Sequence, residues 1–309
     1  MIVTVTPNPS IDRTIAIDAI ERGGLVRARR ATSEAAGKGL NVSRALAEQG
    51  VETIAVLPLA SDTAATYLGL LAGAIPLRTV AIPGAVRTNV SLVEPDGTVT
   101  KVNEPGPILS EAQAEAILAA ATDATREGWI VGCGSLPPGA PLDFYARLAR
   151  LASSDRRIAV DSSGEALAAA ASAGASLIKP NLSELETIAG RKLTTLGEAV
   201  DAACETVAAG VGSVLLSVGR HGAVWVASGG TVVHAEAAVP DAVNNVGAGD
   251  ALLAGFLARG AGAPALSEAV AWSIAALRSP GTRMLPLTDA DRRAVVVHDR
   301  VDRDRVLSA

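Results

Sequence analysis

Short runs of aliphatic and β-branched residues alternate along the chain with longer Ala- and Leu-rich stretches. IVTVT (2–6), ETIAVLPLA (52–60), WIVGCG (129–134), RIAVDSS (157–163), SLIKPN (176–181) and SVLLSVG (213–219) are apolar almost without interruption. Runs of this length and continuity read as strands buried on both faces. Between and around them, residues 40–50, 62–72, 110–127, 142–153, 164–173, 183–189 and 196–210 read as helices. Alternation of this kind predicts a parallel sheet covered by helices on both sides. Ligands of such sheets bind beyond the carboxyl ends of the strands. Residues just after each strand are therefore the ones to inspect.

Two stretches have a different period. TNVSLVEPDGTVTKV (88–102) alternates apolar and polar residues on both sides of Pro95-Asp96-Gly97, a hairpin pattern, and IDRTIAID (11–18) alternates similarly. One apolar and one polar face predicts a small antiparallel sheet standing off the main one, placed to act as a lid. No long linker, internal repeat or low-complexity tail interrupts the 309 residues, which predicts a single domain over 1–309 with this outgrowth.

Composition narrows the picture. Aromatic residues are only 2% of the chain, so its core must be closely packed Val, Leu, Ile and Ala. A net charge of −5 with no basic stripe argues against a nucleic-acid partner. Cys133 and Cys204 lie outside any CxxC spacing, and His221, His234 and His298 are scattered, so no zinc site is legible from spacing. The N-terminus MIVTVTPNPS has no secretory pattern, and the apolar runs are too short to span a bilayer. A soluble cytoplasmic protein with reduced thiols and no membrane partner is expected.

Candidate chemistry gathers where strands end. VNNVGAGDALLAGF (243–256) sets Gly247, Ala248 and Gly249 ahead of Asp250 and an apolar helical pattern. The first amides of a helix lack internal partners and point outward, so such a turn suits an anion. The helix dipole also favours an acid there, and would keep Asp250 ionised. AAGKGLNVSRAL (35–46) places Lys38 between Gly37 and Gly39, with Asn41 following as a helix begins. Glycines permit close backbone approach and Lys38 adds charge, although the spacing is not that of a Walker A loop. A solvated lysine in a glycine-containing loop is the plain alternative.

TPNPSID (6–12) ends the first strand and delivers Asp12, a carboxylate able to accept two vicinal hydroxyls, or simply a turn acid beside prolines. RTN (87–89) puts Arg87 and Asn89 at the start of the hairpin. Arginine grips phosphate with paired donors and asparagine both donates and accepts, while a solvated strand end looks the same. GSLPPG (134–139) is a rigid turn carrying Ser135. In IKPNLSELE (178–186), Asn181 and Glu184 can reach a magnesium ion directly or through its waters. They can equally form a helix cap and capping box. SVGRHGAVWV (217–226) joins two strands through Gly219 and Gly222, whose amides with Ser217 can line phosphates or form an ordinary hairpin. Each motif alone is weak. Their common place at one sheet edge is the stronger signal.

Together these residues resemble the ribokinase-like sugar kinases of the PfkB family, over essentially the whole chain and with motif order intact. GKGLNV resembles the family's N-terminal signature and NNVGAGDALLAGF its C-terminal one. TPNPSID, NEPGP (103–107), GSLPPG, DSSGEAL (161–167) and KPNLSELE resemble the branch acting on sugars that already carry a phosphate. The resemblance implies an α/β three-layer sandwich with a mostly parallel central sheet and a small antiparallel β lid, contributed by about 11–18, 31–36 and 87–103. It also implies an ATP- and Mg²⁺-dependent phosphotransferase that is a homodimer through the lid.

Roles follow from the same resemblance. Asp250 would be the base, with Gly247, Ala248 and Gly249 forming an anion hole for the moving phosphoryl group. Asp12, Gly37, Lys38, Gly39, Asn41, Arg87, Asn89 and Ser135 would hold the phosphosugar. Lys179, Asn181, Ser217, Gly219, Gly222, Gly247 and Gly249 would face the nucleotide, and Glu184 with Asn181 would place Mg²⁺. The lid would close over the sugar and exclude water. The motifs lie nearest to members acting on fructose 1-phosphate, with tagatose 6-phosphate and fructose 6-phosphate as alternatives. A reading of another class is a non-catalytic sugar-phosphate sensor, against which an intact Asp250 and Glu184 argue. A dinucleotide-dependent oxidoreductase lacks its GxGxxG turn after the first strand. Three places depart from the family pattern: Asn244-Asn245 before VGAGD, Leu25 (with Arg27 nearby) where a phosphate-binding lysine is expected of the fructose 6-phosphate enzyme, and Arg283.

Overall fold

The computed structural model describes every residue except 72, 74, 241, 244, 280, 282, 308 and 309, so Asn244 lies outside the described residues. From the N-terminus the chain forms β1 (Ile2–Val5), β2 (Ser10–Ala16), β3 (Arg30–Ala36), α1 (Lys38–Glu48), β4 (Thr53–Ala60), α2 (Ala64–Leu71) and β5 (Leu77–Ile82). The pair β6 (Arg87–Val93) and β7 (Val99–Asn103) follows, then α3 (Glu111–Ala124), β8 (Gly128–Cys133), α4 (Phe144–Ala149) and β9 (Arg156–Asp161). Next come α5 (Gly164–Ser172), β10 (Leu177–Ile178), α6 (Leu182–Ala189), α7 (Leu196–Ala208), β11 (Ser213–Ser217), β12 (Ala223–Ala227) and β13 (Thr231–Glu236). The chain ends with α8 (Ala248–Arg259), α9 (Ala263–Leu277), α10 (Asp289–Ala294) and β14 (Val296–His298).

Ten strands form the main sheet in the order β14-β13-β12-β11-β10-β9-β8-β1-β4-β5. From β11 to β5 all neighbours are parallel, while β11 to β14 pair antiparallel. The parallel strands are apolar on both faces because both faces are covered. Val214 and Leu216 of β11 join the apolar cluster shared with α3, α4, α5 and α7, while Leu215 joins the one shared with α1, α8 and α9. With few aromatics, close helix approach completes the packing. A Cβ on Gly255 of α8 would lie 2.9 Å from the Ala269 Cα on α9. The strand order reverses at β1, which has β8 on one side and β4 on the other, and this is where open sheets of this kind leave a crevice.

Arg87–Val93 and Val99–Asn103 pair as the expected hairpin in a second sheet ordered β3-β2-β6-β7, which also takes Ser10–Ala16 and Arg30–Ala36. Its β2–β6 pairing is parallel, so the small sheet is antiparallel except at its centre. The structure adds elements the periodicity did not mark, namely β5, β13, β14, α9 and α10. β5 and β14 are sheet edges and largely exposed, so no continuous apolar run announces them. SLIKPN (176–181) yields only the two-residue β10, because Pro180 has no N–H for the ladder and the Ser176 hydroxyl instead accepts from the Ile158 amide. The helix expected over 142–153 shortens to α4. Among the described residues no helix is long and apolar enough to cross a membrane.

Candidate active site

α8 begins where the antiparallel edge hands the chain back to the sheet's carboxyl end. Its N-cap, Gly247, has φ 78°, a left-handed conformation that a β-carbon would strain, and among the described residues no side chain caps the helix. The first-turn amides of Ala248, Gly249 and Asp250 therefore lack a side-chain cap. Asp250 is buried, and its Oδ2 accepts from Asn41 Nδ2 at 2.9 Å. Burial pushes its carboxyl up to about 6, helped by the nearby charge of Asp161 and opposed by Lys38, the Asn41 hydrogen bond and Lys179. Desolvation of the buried carboxylate thus raises the group, and at about 6 it is still ionised at neutral pH.

Beside Asp250 runs a charge chain that the motifs did not disclose. Asp161, at the end of β9 and fully buried, holds Lys38 Nζ at 3.0 Å and Lys179 Nζ at 3.4 Å. Burial works against its negative charge, but the two ammonium groups prevail and hold the carboxyl below the usual range. Asp161 in turn holds Lys38 charged well above the ordinary lysine range, against the opposing effect of burial. Lys179, expected to face the nucleotide, is itself buried, and its Nζ lies 3.5 Å from where a Cβ on Gly249 would sit. A carboxylate ending an apolar strand was the available signal for Asp161.

The sugar-side candidates converge on the join between the two sheets. Asp12 and Asn89 are register partners on β2 and β6, and Asp12 Oδ1 accepts from Asn89 Nδ2 at 3.0 Å and from Ser10 Oγ at 2.7 Å. Arg87, two register steps away opposite Ser10, donates from Nη1 to the Glu104 carbonyl at 3.2 Å, while its buried Nε has no partner among the described residues. Asn8 was missed. Its Nδ2 donates to the Pro105 carbonyl at 3.1 Å and to Ser135 Oγ at 3.3 Å, tying TPNPSID, NEPGP and GSLPPG together. Its Oδ1 is buried without a partner. Gly37 and Gly39 let α1 start directly against β1, since Cβ atoms there would come within 2.7 Å and 2.5 Å of Thr6.

On the other side of α8 a cavity of about 510 Å³ is lined by Ser217, Gly219, Gly222, Asn245, Ala248 and Gly249, with Val239, Leu252 and Leu277 as apolar wall. Lys179, Asn181 and Gly247 do not line it. Asn181 instead caps α6 in a full capping box: its Oδ1 accepts the Glu184 amide at 2.9 Å, and Glu184 Oε2 accepts the Asn181 amide at 2.8 Å. Among the described residues nothing hydrogen-bonds Oε1 of Glu184, and the Glu184 charge contributes at Lys38. One open carboxylate oxygen suits a hard, hydrated divalent cation better than a closed protein cage. Leu25, which stands where the fructose 6-phosphate enzyme is expected to offer a phosphate-binding lysine, is strongly exposed. Arg283 is exposed beside Glu48 and the buried Arg44, whose guanidinium nitrogens have no partner among the described residues, and nothing in the structure explains it.

The chain matches the profile described as pfkB family carbohydrate kinase over residues 5–276. A curated relative, the 1-phosphofructokinase of Rhodobacter capsulatus, is 36% identical over 294 residues, which cover 92% of this chain and 93% of its own. Phosphofructokinase-2 of Escherichia coli, solved in complex with substrates and products, superposes with a TM-score of 0.84 at 31% identity, covering 94% of this chain and 97% of that one. Its tetrameric inhibited form superposes with a TM-score of 0.83 at 31% identity, covering 94% of this chain and 96% of that one. With the family profile running through both glycine motifs and the fold shared along nearly its whole length, the chain belongs to the pfkB family of carbohydrate kinases.

Proposed function

We propose that this protein is a 1-phosphofructokinase, transferring the γ-phosphoryl group of ATP to fructose 1-phosphate to give fructose 1,6-bisphosphate and ADP. Membership of the family makes it a phosphotransferase acting on a sugar hydroxyl, with ATP as donor, and sets aside the sensor and oxidoreductase readings. One observation carries the assignment of roles: a buried carboxylate, Asp250, sits in the first turn of a glycine-led helix whose Ala248 and Gly249 line the cavity, with the charges of Asp161 and Lys38 acting on it. In this reading the sugar hydroxyl attacks the γ-phosphorus as the bond to the β-phosphate oxygen breaks. Its proton passes to Asp250 Oδ1, the oxygen not held by Asn41. The amides of Gly247, Ala248 and Gly249 stabilise charge on the phosphoryl group in flight. Lys38 and Arg87 meet the substrate phosphate, while Asp12, Asn89, Asn41 and Ser135 meet its hydroxyls. Ser217, Gly219 and Gly222 meet the nucleotide. Mg²⁺, placed through water by Glu184 and Asn181, would neutralise charge on the triphosphate.

The small sheet covers the sugar side, and we assign it a homodimer contact as well, because β7 is exposed throughout with Val99 and Val102 on its surface. A cytoplasmic location, where ATP is supplied and Cys133 and Cys204 stay as free thiols, accords with the reading. Fructose 1-phosphate and the two 6-phosphates present similar ends across a near-symmetric furanose ring, so a coupled ADP-release assay decides among them. The expected result is the highest kcat/KM with fructose 1-phosphate. Preference for tagatose 6-phosphate or fructose 6-phosphate would move the protein within its branch, and no turnover on any of the three would sink the proposal.

A further inference from the structure

The two histidines farthest along the chain meet at the sheet edge remote from α1. His234 and Glu236 share one face of β13, and His298 of β14 is the register partner of His234, so all three side chains project from the same side. One ligand atom from each lies within 4.8 Å of the others. We propose that His234, Glu236 and His298 form a binding site for a divalent cation of the zinc class.

The state of His234 carries the inference furthest. Its Nε2 lies 2.8 Å from the His221 carbonyl oxygen, which can only accept, so Nε2 bears the proton and the neutral ring leaves a bare lone pair on Nδ1. Nδ1 is buried with no hydrogen-bond partner among the described residues, and His234 has no exposed surface. An imidazole whose second nitrogen donates to a backbone carbonyl is how metal-ligating histidines are commonly oriented. His298 Nε2 and Glu236 Oε1 are 2.8 Å apart, sharing a proton, and the second oxygen of Glu236 takes Arg305 Nη1 at 2.5 Å. An ion takes the place of the shared proton, which leaves Nε2 through solvent, and the ligating His298 ring then carries its single proton on Nδ1. Arg305 stays on Oε2 and orients the carboxylate.

Tetrahedral zinc bonds of about 2.0–2.1 Å require ligand atoms roughly 3.4 Å apart, so the His234 and His298 rings, stacked at 4.7 Å with 15° between their planes, must turn out of parallel for both lone pairs to reach one ion. Glu236 and His298 are partly exposed, which gives the ion a way in and leaves a position for water. The guanidinium of Arg305 opposes added positive charge. The site therefore calls for an ion with strong imidazole affinity, not a hard cation such as Mg²⁺ held by charge. His221, whose carbonyl fixes His234, belongs to the turn whose Gly219 and Gly222 line the cavity beside α8. An ion at the site thus stiffens that turn from behind.

The test uses the full chain, stripped with chelator and kept in millimolar Mg²⁺, titrated with Co²⁺ alone and then Zn²⁺ alone. One Co²⁺ per chain with visible tetrahedral absorption bands, displaced by Zn²⁺, is expected, as is a rise in Tm of about 3–6 °C at a hundredfold excess over Kd. His298→Ala and Glu236→Gln, both at the partly exposed edge, should weaken binding at least about tenfold. His221→Ala, which removes the one histidine ring outside the cluster, should retain it. No stoichiometric band and no Tm shift in the parent protein, or equal binding by His298→Ala, overturns the site. Loading with Zn²⁺ should shift KM for ATP without changing KM for the sugar phosphate. This last readout rests on the proposed kinase activity, whereas Co²⁺ binding does not, and an unchanged KM for ATP overturns the coupling to the turn.

Discussion

A buried carboxylate with its pKa near 6 is suited to accept a proton at neutral pH and is costly to the fold at the same time. Its pKa lies above the unfolded value, so the native state binds more protons between about pH 4 and 6, and stability falls as pH rises through that window. Above about pH 6 the penalty is complete. Asp250→Asn keeps an oxygen for Asn41 and removes the buried charge. It should lower kcat by about 10²–10⁴-fold and raise stability at pH 7 by up to about 3 kcal/mol, measured by steady-state assay and urea unfolding. In the parent enzyme kcat/KM should fall about tenfold per pH unit below about pH 6, as Asp250 becomes protonated. Asp161 has the opposite sign, its pKa being depressed, so its contribution is present above the unfolded carboxylate pKa and lost on acidification. Asp161→Asn leaves Lys179 buried and unneutralised and should cost about 3–5 kcal/mol in unfolding free energy.

Among elements, α6 poses the clearest double role. Its capping box explains Asn181 and Glu184 without any ligand, while the open Oε1 of Glu184 leaves a place for a hydrated cation. The two roles separate by mutation. Asn181→Ala removes the cap and should cost about 1 kcal/mol in thermal or urea unfolding. Glu184→Gln keeps an acceptor for the Asn181 amide but removes the charge; it should leave Tm within about 2 °C while raising the Mg²⁺ concentration needed for half-maximal rate several-fold. If both variants lose only stability, the metal role fails. β10 teaches a related lesson. A run of six residues that reads as a strand supplies only two, because a proline and a serine hydroxyl take over the ladder positions.

For the whole molecule, the proposed substrate enclosure and the proposed assembly both turn on the placement of the small sheet. Its register sets Asp12 against Asn89 and Ser10 against Arg87, so the sheet itself carries part of the proposed sugar site. β7 lies at its edge with no residue buried, an open strand that a second copy can cover. Val102→Asp should shift the protein to monomer in light scattering if that contact is used. An unchanged dimer would place the interface elsewhere.

Much of this was legible in order along the chain. Continuous apolar runs announced parallel strands, Pro95-Asp96-Gly97 announced the hairpin, and glycines before Lys38 and Asp250 announced two helix starts, because each signal is carried by neighbours a few residues apart. Edge strands such as β5 and β14 gave weaker signals, since half their positions face water. What only the tertiary structure decided was which distant charges meet. Asp161 neutralises Lys38 across 123 positions, Asn41 reaches Asp250 across 209, and His298 reaches Glu236 across 62. Burial and Coulomb interaction depend on distance through space, so the raised pKa of Asp250 and the clustering of two scattered histidines exist only once the sheet has brought those segments together.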